Sequence, residues 1–274
     1  MQNVAAFIKN DGSGYKWRYT DSDMPIKYLK LHVENSLNFW NPKDIILATN
    51  FPFEYMGVKA YEIQSDIRKW SSFSNKLMVV AELIKREIIN EEFWHKDLDA
   101  FQLQPFNFPI DSGVGFTQHA PGRTKLQGGS SFYAKDSMDL PGIMSEGMRL
   151  FKARKEEDFF NNLYFKRKEG WKASKIEAYK NKPEQLAYIE NHFCNYTNRL
   201  HMINWTYNLF RVRDFKRKWP KTEKPVKICH FKPEVKNCAK CFVYGENKYN
   251  VNVVDDRLRK LMEKHELIWR NNAT

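Results

Sequence analysis

The chain has 274 residues, which is long enough for one large α/β domain, or for a domain of about 150 to 230 residues with a helical extension. Hydrophobic residues make up 42% of it and aromatic residues 15%, and this composition excludes an intrinsically disordered protein. Lys and Arg outnumber Asp and Glu by 45 to 33, so the net charge is +12. That excess favours a polyanionic partner such as a nucleic acid, a nucleotide or an anionic membrane surface.

Targeting signals and disulfides are both absent from the sequence pattern. No apolar run approaches the roughly 18 residues that a membrane span needs, and the N-terminal residues lack the basic flank and apolar stretch of a signal peptide. A soluble, cytoplasmic protein with no membrane partner is therefore expected. Four cysteines are too few and too clustered for a disulfide framework, so we expect reduced thiols at Cys194, Cys229, Cys238 and Cys241.

Strands and helices alternate in the first third of the chain. Short apolar runs that end in polar turns indicate strands, and apolar residues at helical spacing indicate helices. The predicted elements are a strand at Val4 to Ile8, a helix at Ile26 to Phe39, a strand at Asp44 to Thr49, a strand at Val58 to Ile63, and a helix at Asn75 to about Ile89 that Ser74 caps. This order predicts a parallel or mixed sheet between helices, to which the segment FWHKDLDAF should return.

The remainder of the chain is less regular. Glycine and polar residues dominate from Val114 to Gly129, which predicts a long loop beside a site, followed by the strand-like SSFYAK. Apolar spacing predicts helices at Glu156 to Lys168, at about Pro183 to Asn195, and within Val254 to Trp269. We predict one domain over residues 1–235, including a basic helical insertion at about 150–225, and a C-terminal extension over 236–274 that holds a CxxC pair and a terminal helix.

The tripeptide Asp97-Leu98-Asp99 lies where the alternation of elements predicts the end of a strand. In an extended chain the two carboxylates point to the same side while Leu98 points into the core. Mg²⁺ and Mn²⁺ prefer hard oxygen ligands and are usually held by one or two carboxylates together with substrate phosphates. The tripeptide also occurs by chance as two solvated acids, so its context decides its meaning.

Two segments, in the right order, resemble those of a known family. DLDAFQLQPF resembles the Asp-x-Asp segment of GT-A glycosyltransferases, and KICHFKP resembles the His motif that closes the metal site in glycogenin-like members. The resemblance implies a GT-A-like mixed sheet flanked by helices, with a basic helical C-terminal extension. It also implies a metal-dependent glycosyltransferase in which Asp97, Asp99 and His230 hold Mn²⁺ or Mg²⁺ and Lys232 meets the diphosphate of a nucleotide-sugar, most commonly a UDP-sugar. HFKP lacks the small residue and the Trp that are usual around that His. The resemblance therefore leaves open whether the anomeric configuration of the transferred sugar is retained or inverted.

Further segments add weaker matches. LQGGSSFYAK resembles the Gly-rich strand under the donor sugar, and LHMINWTYN resembles the Asn-containing segment before the His motif, although both also suit ordinary packing. Ligands bind beyond the carboxyl ends of parallel strands. The residues expected around the donor are therefore Lys9, Asn10, Thr49, Asn50, Lys76, Asp97, Gly128 and Gly129. The expected catalytic residues are Asp99, Lys232 and, as the base of an inverting reaction, Glu157, although acids are also favourable in the first turn of a helix.

A basic run precedes His230. Between Arg211 and Lys227 eight Lys or Arg stand against two acids, interleaved with Phe215 and Trp219. Such a surface attracts a phosphate backbone, and its aromatic rings stack on exposed bases. The hypothesis is an acceptor in double-stranded DNA that carries hydroxymethylated pyrimidines, as for phage-type enzymes acting in a host cytoplasm. The expected DNA contacts are Arg123, Lys125, Arg211, Arg213, Lys216, Arg217 and Lys218.

Two alternatives stay open at this point. The basic run also suits a solvated face, in which case the acceptor is a glycan or a protein. In the second alternative the chain is a non-enzymatic nucleic-acid-binding protein, in which Cys229, His230, Cys238 and Cys241 form a structural zinc site. His230 cannot easily serve both that zinc and a sugar-nucleotide metal, so these two interpretations compete.

Overall fold

The computed structural model describes residues 1–8, 23–64, 72–118, 126–153, 159, 177–193, 198–210, 225–246 and 253–268. Its strands are β1 (Gln2–Phe7), β2 (Ile45–Thr49), β3 (Glu54–Tyr55), β4 (Val58–Lys59), β5 (Tyr61–Glu62), β6 (Phe93–Lys96), β7 (Ala100–Gln102), β8 (Val114–Gln118), β9 (Leu126–Tyr133), β10 (Leu200–Ile203), β11 (Leu209–Phe210) and β12 (Ile228–His230). Its α-helices are α1 (Met24–Leu37), α2 (Ser72–Lys85), α3 (Leu140–Leu150), α4 (Pro183–Tyr188), α5 (Lys236–Phe242) and α6 (Asp256–Lys264).

Seven strands form one mixed sheet in the order β10-β8-β9-β6-β1-β2-β5. β1 is parallel to β2 and β6, whereas β9 runs antiparallel to both β6 and β8. A second, three-stranded sheet has the order β11-β12-β7, and β3 and β4 form a small hairpin. The chain leaves the large sheet after β6 and enters the small sheet at β7, so residues 97–99 lie at the junction of the two sheets.

Different layers cover the two faces of the large sheet. On one face α2 and α3 bury an apolar cluster that includes Val4, Phe93 and Phe116. On the other face α1 packs through Leu29 and Val33. Alternate residues of a strand point to opposite faces, so a strand that is covered on both sides is buried throughout and mostly apolar. For this reason β1 and β2 are buried at every position.

Helices α5 and α6 pack on the small sheet. Phe242 of α5, together with Leu258 and Met262 of α6, shares a buried cluster with Phe101 of β7 and Cys229 of β12. The boundary near residue 235 stays a prediction. Of the predicted insertion at 150–225, the described part contains α4, which continues as a π-helix over Ile189–Phe193, and also β10, the edge strand of the large sheet. Within the described residues, no helix is both long and apolar enough to cross a membrane.

The alternating first third of the chain is confirmed, with shifted boundaries. The α2 helix begins at Ser72 and ends at Lys85, so Ser74 lies inside the helix and is not its cap. The single strand predicted at Val58 to Ile63 is wrong, because the chain breaks there into β4 and β5, which pair in different sheets. The terminal helix is shorter than its apolar pattern, and the predicted helix at 156–168 lies, except for Phe159, outside the described residues.

The long loop predicted from Val114 to Gly129 is wrong. Residues 114–118 are β8, and Gly128 and Gly129 lie inside β9, where every residue is buried. The two strands pair in antiparallel fashion with an irregularity between Phe116 and Thr117. Small residues are present in this buried strand because neighbouring groups approach its backbone closely, a use of glycine that imitates a loop in the sequence. Residues 119–125 lie outside the described part.

Candidate metal and donor site

Asp97 and Asp99 lie in the turn between β6 and β7. The backbone N–H of Asp97 donates to the carbonyl of Gly129 in β9 at 3.0 Å, and the N–H of Ala100 donates to the carbonyl of Asp97 at 3.1 Å. Leu98, between the two acids, packs against the apolar clusters. The turn is thus held from β9 and anchored by Leu98, which leaves both carboxylates on its open side.

His230 reaches the same place from the far end of the chain. It is the last residue of β12, which pairs in antiparallel fashion with β7 so that His230 is opposite Ala100. The next residue, Phe231, donates its N–H to the carbonyl of Asp99 at 3.0 Å. Two short strands therefore fix the imidazole beside the two carboxylates.

The side chains of Asp97, Asp99 and His230 form a compact group. His230 Nε2 lies 3.0 Å from Asp99 Oδ1 and 3.6 Å from Asp97 Oδ2. One ligand atom from each residue lies within 4.8 Å of the other two, a spacing that suits one metal ion. The carboxylates are 18% and 19% exposed, so an ion from solvent can reach them. Lys76 of α2 donates to Asp97 Oδ1.

The charges in this group support one another. Burial raises the pKa of Asp99, but the neighbouring His230, Lys232 and Lys76 outweigh it and hold the pKa at about 2. Burial lowers the pKa of His230, but Asp99 and Asp97 outweigh it and raise the pKa above its usual value. The site therefore stabilises the ionised Asp99 carboxylate and the protonated His230 ring together. Two carboxylates and an imidazole are also a donor set that suits Mn²⁺ or Mg²⁺, so these residues fit a divalent ion.

The alternative zinc site is not formed by the cysteines that the structure describes. Cys229 precedes His230 in β12, and its thiol lies in the apolar cluster, 3.8 Å from the carbonyl of Phe101. Cys238 and Cys241 lie on α5 and form no disulfide among the described residues, and the Cys241 thiol donates to the carbonyl of Glu246 at 3.7 Å. Among the described residues, the group at Asp97 is the only one with three ligands close enough for a metal. His230 thus belongs to the carboxylates and not to the cysteines.

The other predicted site residues fall into four groups. Lys232 is exposed in the turn after β12, near enough for its charge to act on Asp99. Thr49 and Asn50 lie at the end of β2, where the Thr49 hydroxyl donates to the carbonyl of Phe51. Gly128 and Gly129 lie in β9. The residues outside the described part of the chain are Lys9, Asn10, Arg123, Lys125, Glu157, Arg211, Arg213, Lys216, Arg217 and Lys218.

Two buried polar residues near the site were missed from sequence. His95 of β6 lies two residues before Asp97, and Gln127 of β9 lies two residues before Gly129; each is 1% exposed. Neither the ring nitrogens of His95 nor the amide atoms of Gln127 have a hydrogen-bond partner among the described residues. Buried polar groups usually have partners, so an unpaired one beside a site indicates a place for a ligand or a water. A polar residue between the apolar Leu126 and two glycines was the available signal.

Comparisons with known proteins address the fold. No protein-family model matches the chain, and no curated protein matches it. Among solved structures, the galactosyltransferase LgtC with donor and acceptor sugar analogs is 13% identical, with a TM-score of 0.51 and coverage of 96% of each chain. An active-site mutant of LgtC gives 13% identity, a TM-score of 0.52 and the same coverage. The chain has a GT-A fold.

A third structure is more distant. It is a glycosyltransferase involved in glycosylation of the major capsid of PBCV-1, with 10% identity, a TM-score of 0.49, and coverage of 84% of this chain and 93% of that one. The GT-A fold agrees with the mixed sheet flanked by helices that the sequence predicted. In this fold the carboxyl ends of the parallel strands β1 and β6 and the Asp97 turn lie at the same edge of the large sheet.

Proposed function

We propose that the protein is a metal-dependent glycosyltransferase that moves a sugar from a nucleotide-sugar, with UDP as the first carrier to test, to an acceptor hydroxyl. The observation that carries this proposal is the juxtaposition of Asp97, Asp99 and His230 at the end of β6 in a GT-A fold. The neighbours supply the fold, and the activity is inferred from the chemistry of the three side chains. Enzymes and non-enzymatic proteins share many folds, so the chemistry of the site is a stronger argument for activity than the fold.

Each residue has a distinct part in the proposed reaction. Asp97, Asp99 and His230 would hold Mn²⁺ or Mg²⁺, which when bound offsets the charge of the donor diphosphate and makes it a better leaving group. Lys232 presents an exposed ammonium at the same edge of the site and adds positive charge beside the departing diphosphate. Gln127, whose buried amide atoms have no partner among the described residues, would hydrogen-bond a sugar hydroxyl of the donor. Glu157 stays the predicted base for an inverting reaction.

Release of nucleoside diphosphate tests this proposal. Purified protein is incubated with a panel of sugar nucleotides, with Mn²⁺ or with EDTA, and the released diphosphate is quantified. We expect release that needs Mn²⁺ and that falls about 100-fold or more in Asp99→Asn. Asp111→Asn is a matched control, because Asp111 is an exposed acid outside the site. Release that EDTA leaves unchanged would refute the metal role, and no release from any donor would refute the activity.

For the acceptor, we propose double-stranded DNA that carries hydroxymethylated pyrimidines. The support is the net charge of +12 and the eight cations between residues 211 and 227. Diphosphate release is compared with hydroxymethylpyrimidine DNA, unmodified DNA, a glycan and no acceptor, and product DNA is checked for a gain in mass. Stimulation by the modified DNA alone supports this acceptor. Stimulation by a glycan alone would overturn it and would leave the transferase activity standing.

A further inference from the structure

Gly129 of β9 lies against two of the three proposed metal ligands. Its carbonyl accepts the N–H of Asp97 at 3.0 Å. A Cβ built on Gly129 would lie 2.3 Å from His230 Cε1 and 2.5 Å from His230 Nδ1, and 3.4 Å from Asp97 Oδ2. The first two separations are far shorter than any contact between non-bonded carbon and nitrogen atoms. The imidazole therefore occupies the space that any side chain at position 129 would need.

We infer that Gly129 is a positioning residue, whose missing side chain forms the seat that holds the His230 ring beside Asp97 and Asp99. This inference rests on the metal role proposed above and deepens it. It assigns Gly129 to the metal site, whereas a glycine in a Gly-rich strand is also explained by close approach of the donor sugar. The two explanations predict different losses, of metal affinity in one case and of donor affinity alone in the other.

The His230 ring has little freedom to retreat from an added methyl group. Its backbone is fixed by pairing of β12 with β7, and the next N–H is bonded to the carbonyl of Asp99. Cys229, before it, is fully buried in the apolar cluster. The side chain of His230 is only 8% exposed, so rotation of the ring must move it within a packed site. A methyl group at position 129 should displace the ring from the carboxylates.

Alanine at position 129 is a clean perturbation. The backbone angle φ of Gly129 lies outside the left-handed region, so alanine introduces no backbone strain there. Gly142 of α3 is a matched control, since its added Cβ would meet only the Cβ of Ala81 at 3.8 Å, an ordinary contact. A loss in Gly129→Ala that Gly142→Ala does not show therefore reports crowding at position 129, where the nearest atoms belong to His230 and Asp97.

The experiment is a double-mutant cycle read by Mn²⁺ binding. Free Mn²⁺ is titrated by electron paramagnetic resonance against wild type, Gly129→Ala, Gly142→Ala, His230→Ala and the Gly129→Ala, His230→Ala double variant, with circular dichroism as the fold control. We expect Gly129→Ala to weaken Mn²⁺ binding at least about tenfold and Gly142→Ala to leave it unchanged. In the His230→Ala background, Gly129→Ala should change the affinity less than about twofold, because the ring it meets is gone.

Four outcomes would overturn the inference, and the last of them would also refute the metal role. Wild-type affinity in Gly129→Ala would show that the ring needs no seat, and an equal loss in the His230→Ala background would show that Gly129 acts through another group. If Gly129→Ala alone fails to fold, the double variant should fold as well as His230→Ala, and unfolding of both would also contradict the inference. Wild-type protein that binds no Mn²⁺ would instead refute the metal role itself, and the inference with it.

Discussion

Replacing Glu34 by Gln should destabilise the protein through a buried network that joins α1 to the C-terminal helix. Glu34 is 7% exposed and accepts four hydrogen bonds. Lys264 donates to both oxygens at 2.9 and 2.8 Å, and His265 Nε2 and the Tyr55 hydroxyl lie 2.8 and 2.6 Å from Oε1. These bonds join the end of α6 and the β3 strand to the last turn of α1.

The magnitude follows from which of these bonds are shielded from water. The Lys264 side chain is 55% exposed, so water screens its ion pair and this pair adds little stability. His265 is 7% exposed, and hydrogen bonds to a charged group contribute about 1.5 to 3 kcal/mol when shielded. Gln keeps the shape of the side chain but lacks the charge, so we expect Glu34→Gln to lower the free energy of unfolding by about 2 to 3 kcal/mol at pH 7.

The loss should depend on pH in a defined direction. Burial raises the pKa of Glu34, but hydrogen bonds from Lys264, Tyr55 and His265 outweigh it and hold the pKa below its usual value. A carboxyl with a depressed folded pKa stabilises the protein fully above its unfolded pKa of about 4.3, and this contribution disappears as the pH falls through the folded pKa. The difference between wild type and Glu34→Gln should therefore stay constant above the unfolded pKa and shrink as the pH falls from there through the folded pKa.

Urea unfolding at several pH values measures both effects. Glu266→Gln is the control, because Glu266 forms an exposed ion pair with Lys27 at the same helix junction and should cost less than about 0.5 kcal/mol. A Glu34→Gln variant within about 0.5 kcal/mol of wild type at pH 7 would refute the reasoning. A cost that stays constant as the pH falls would show that the charge of Glu34 is not its source.

Three further variants test the neighbourhood of the proposed site. Lys76→Met removes the ammonium that holds Asp97, so Mn²⁺ should bind the metal-free protein about 2- to 10-fold more tightly in a titration; weaker binding would contradict a competing role. Gln127→Leu removes buried amide atoms that have no partner in the described part of the chain, so thermal stability should hold while KM for the donor rises about tenfold; destabilisation with an unchanged KM would contradict the donor contact. The double variant Cys238→Ala, Cys241→Ala should keep its metal content by mass spectrometry and its fold, whereas loss of bound zinc would revive the zinc site.

The sequence predicts the alternating part of the fold and the Asp pair for a physical reason. Apolar runs of strand length between amphipathic helices indicate β1, β2, α1 and α2 because periodicity records burial directly. A spacing of two at a strand end predicts that Asp97 and Asp99 lie side by side, but the structure places both in the turn after β6, where Leu98 anchors the turn between them. His230 is different, since only the resemblance of KICHFKP to a family motif selected it. Its strand, β12, has three residues, too few for any period to show.

The burial of the small residues in β9 could not be predicted from the sequence pattern. Periodicity is read from large apolar side chains, and Gly128, Gly129 and the two serines that follow provide none, although all four are buried. Their burial is caused by what lies against them: the His230 ring at Gly129 and the indole N–H of Trp94, which donates to the Ser130 hydroxyl at 2.8 Å. These partners are distant in sequence, so the segment resembles a loop until the sheet is assembled.

The burial of two polar residues in β6, His95 and Lys96, also could not be predicted from the sequence, and it bears on the proposed site. Lys96 is 1% exposed and lies with its ammonium 4.5 Å from the centre of the Trp94 ring, while His95 faces the opposite side of the sheet. In the sequence of a predicted strand, a His and a Lys before Asp97 indicate exposed positions, because charged residues such as Lys are rarely fully buried. The sheet buries them because β6 lies between β1 and β9 in its interior. A polar residue in a central strand beside a proposed metal site carries a desolvation cost that packing alone does not offset. His95 and Gln127 are therefore the first positions at which a bound donor or an ordered water should be sought.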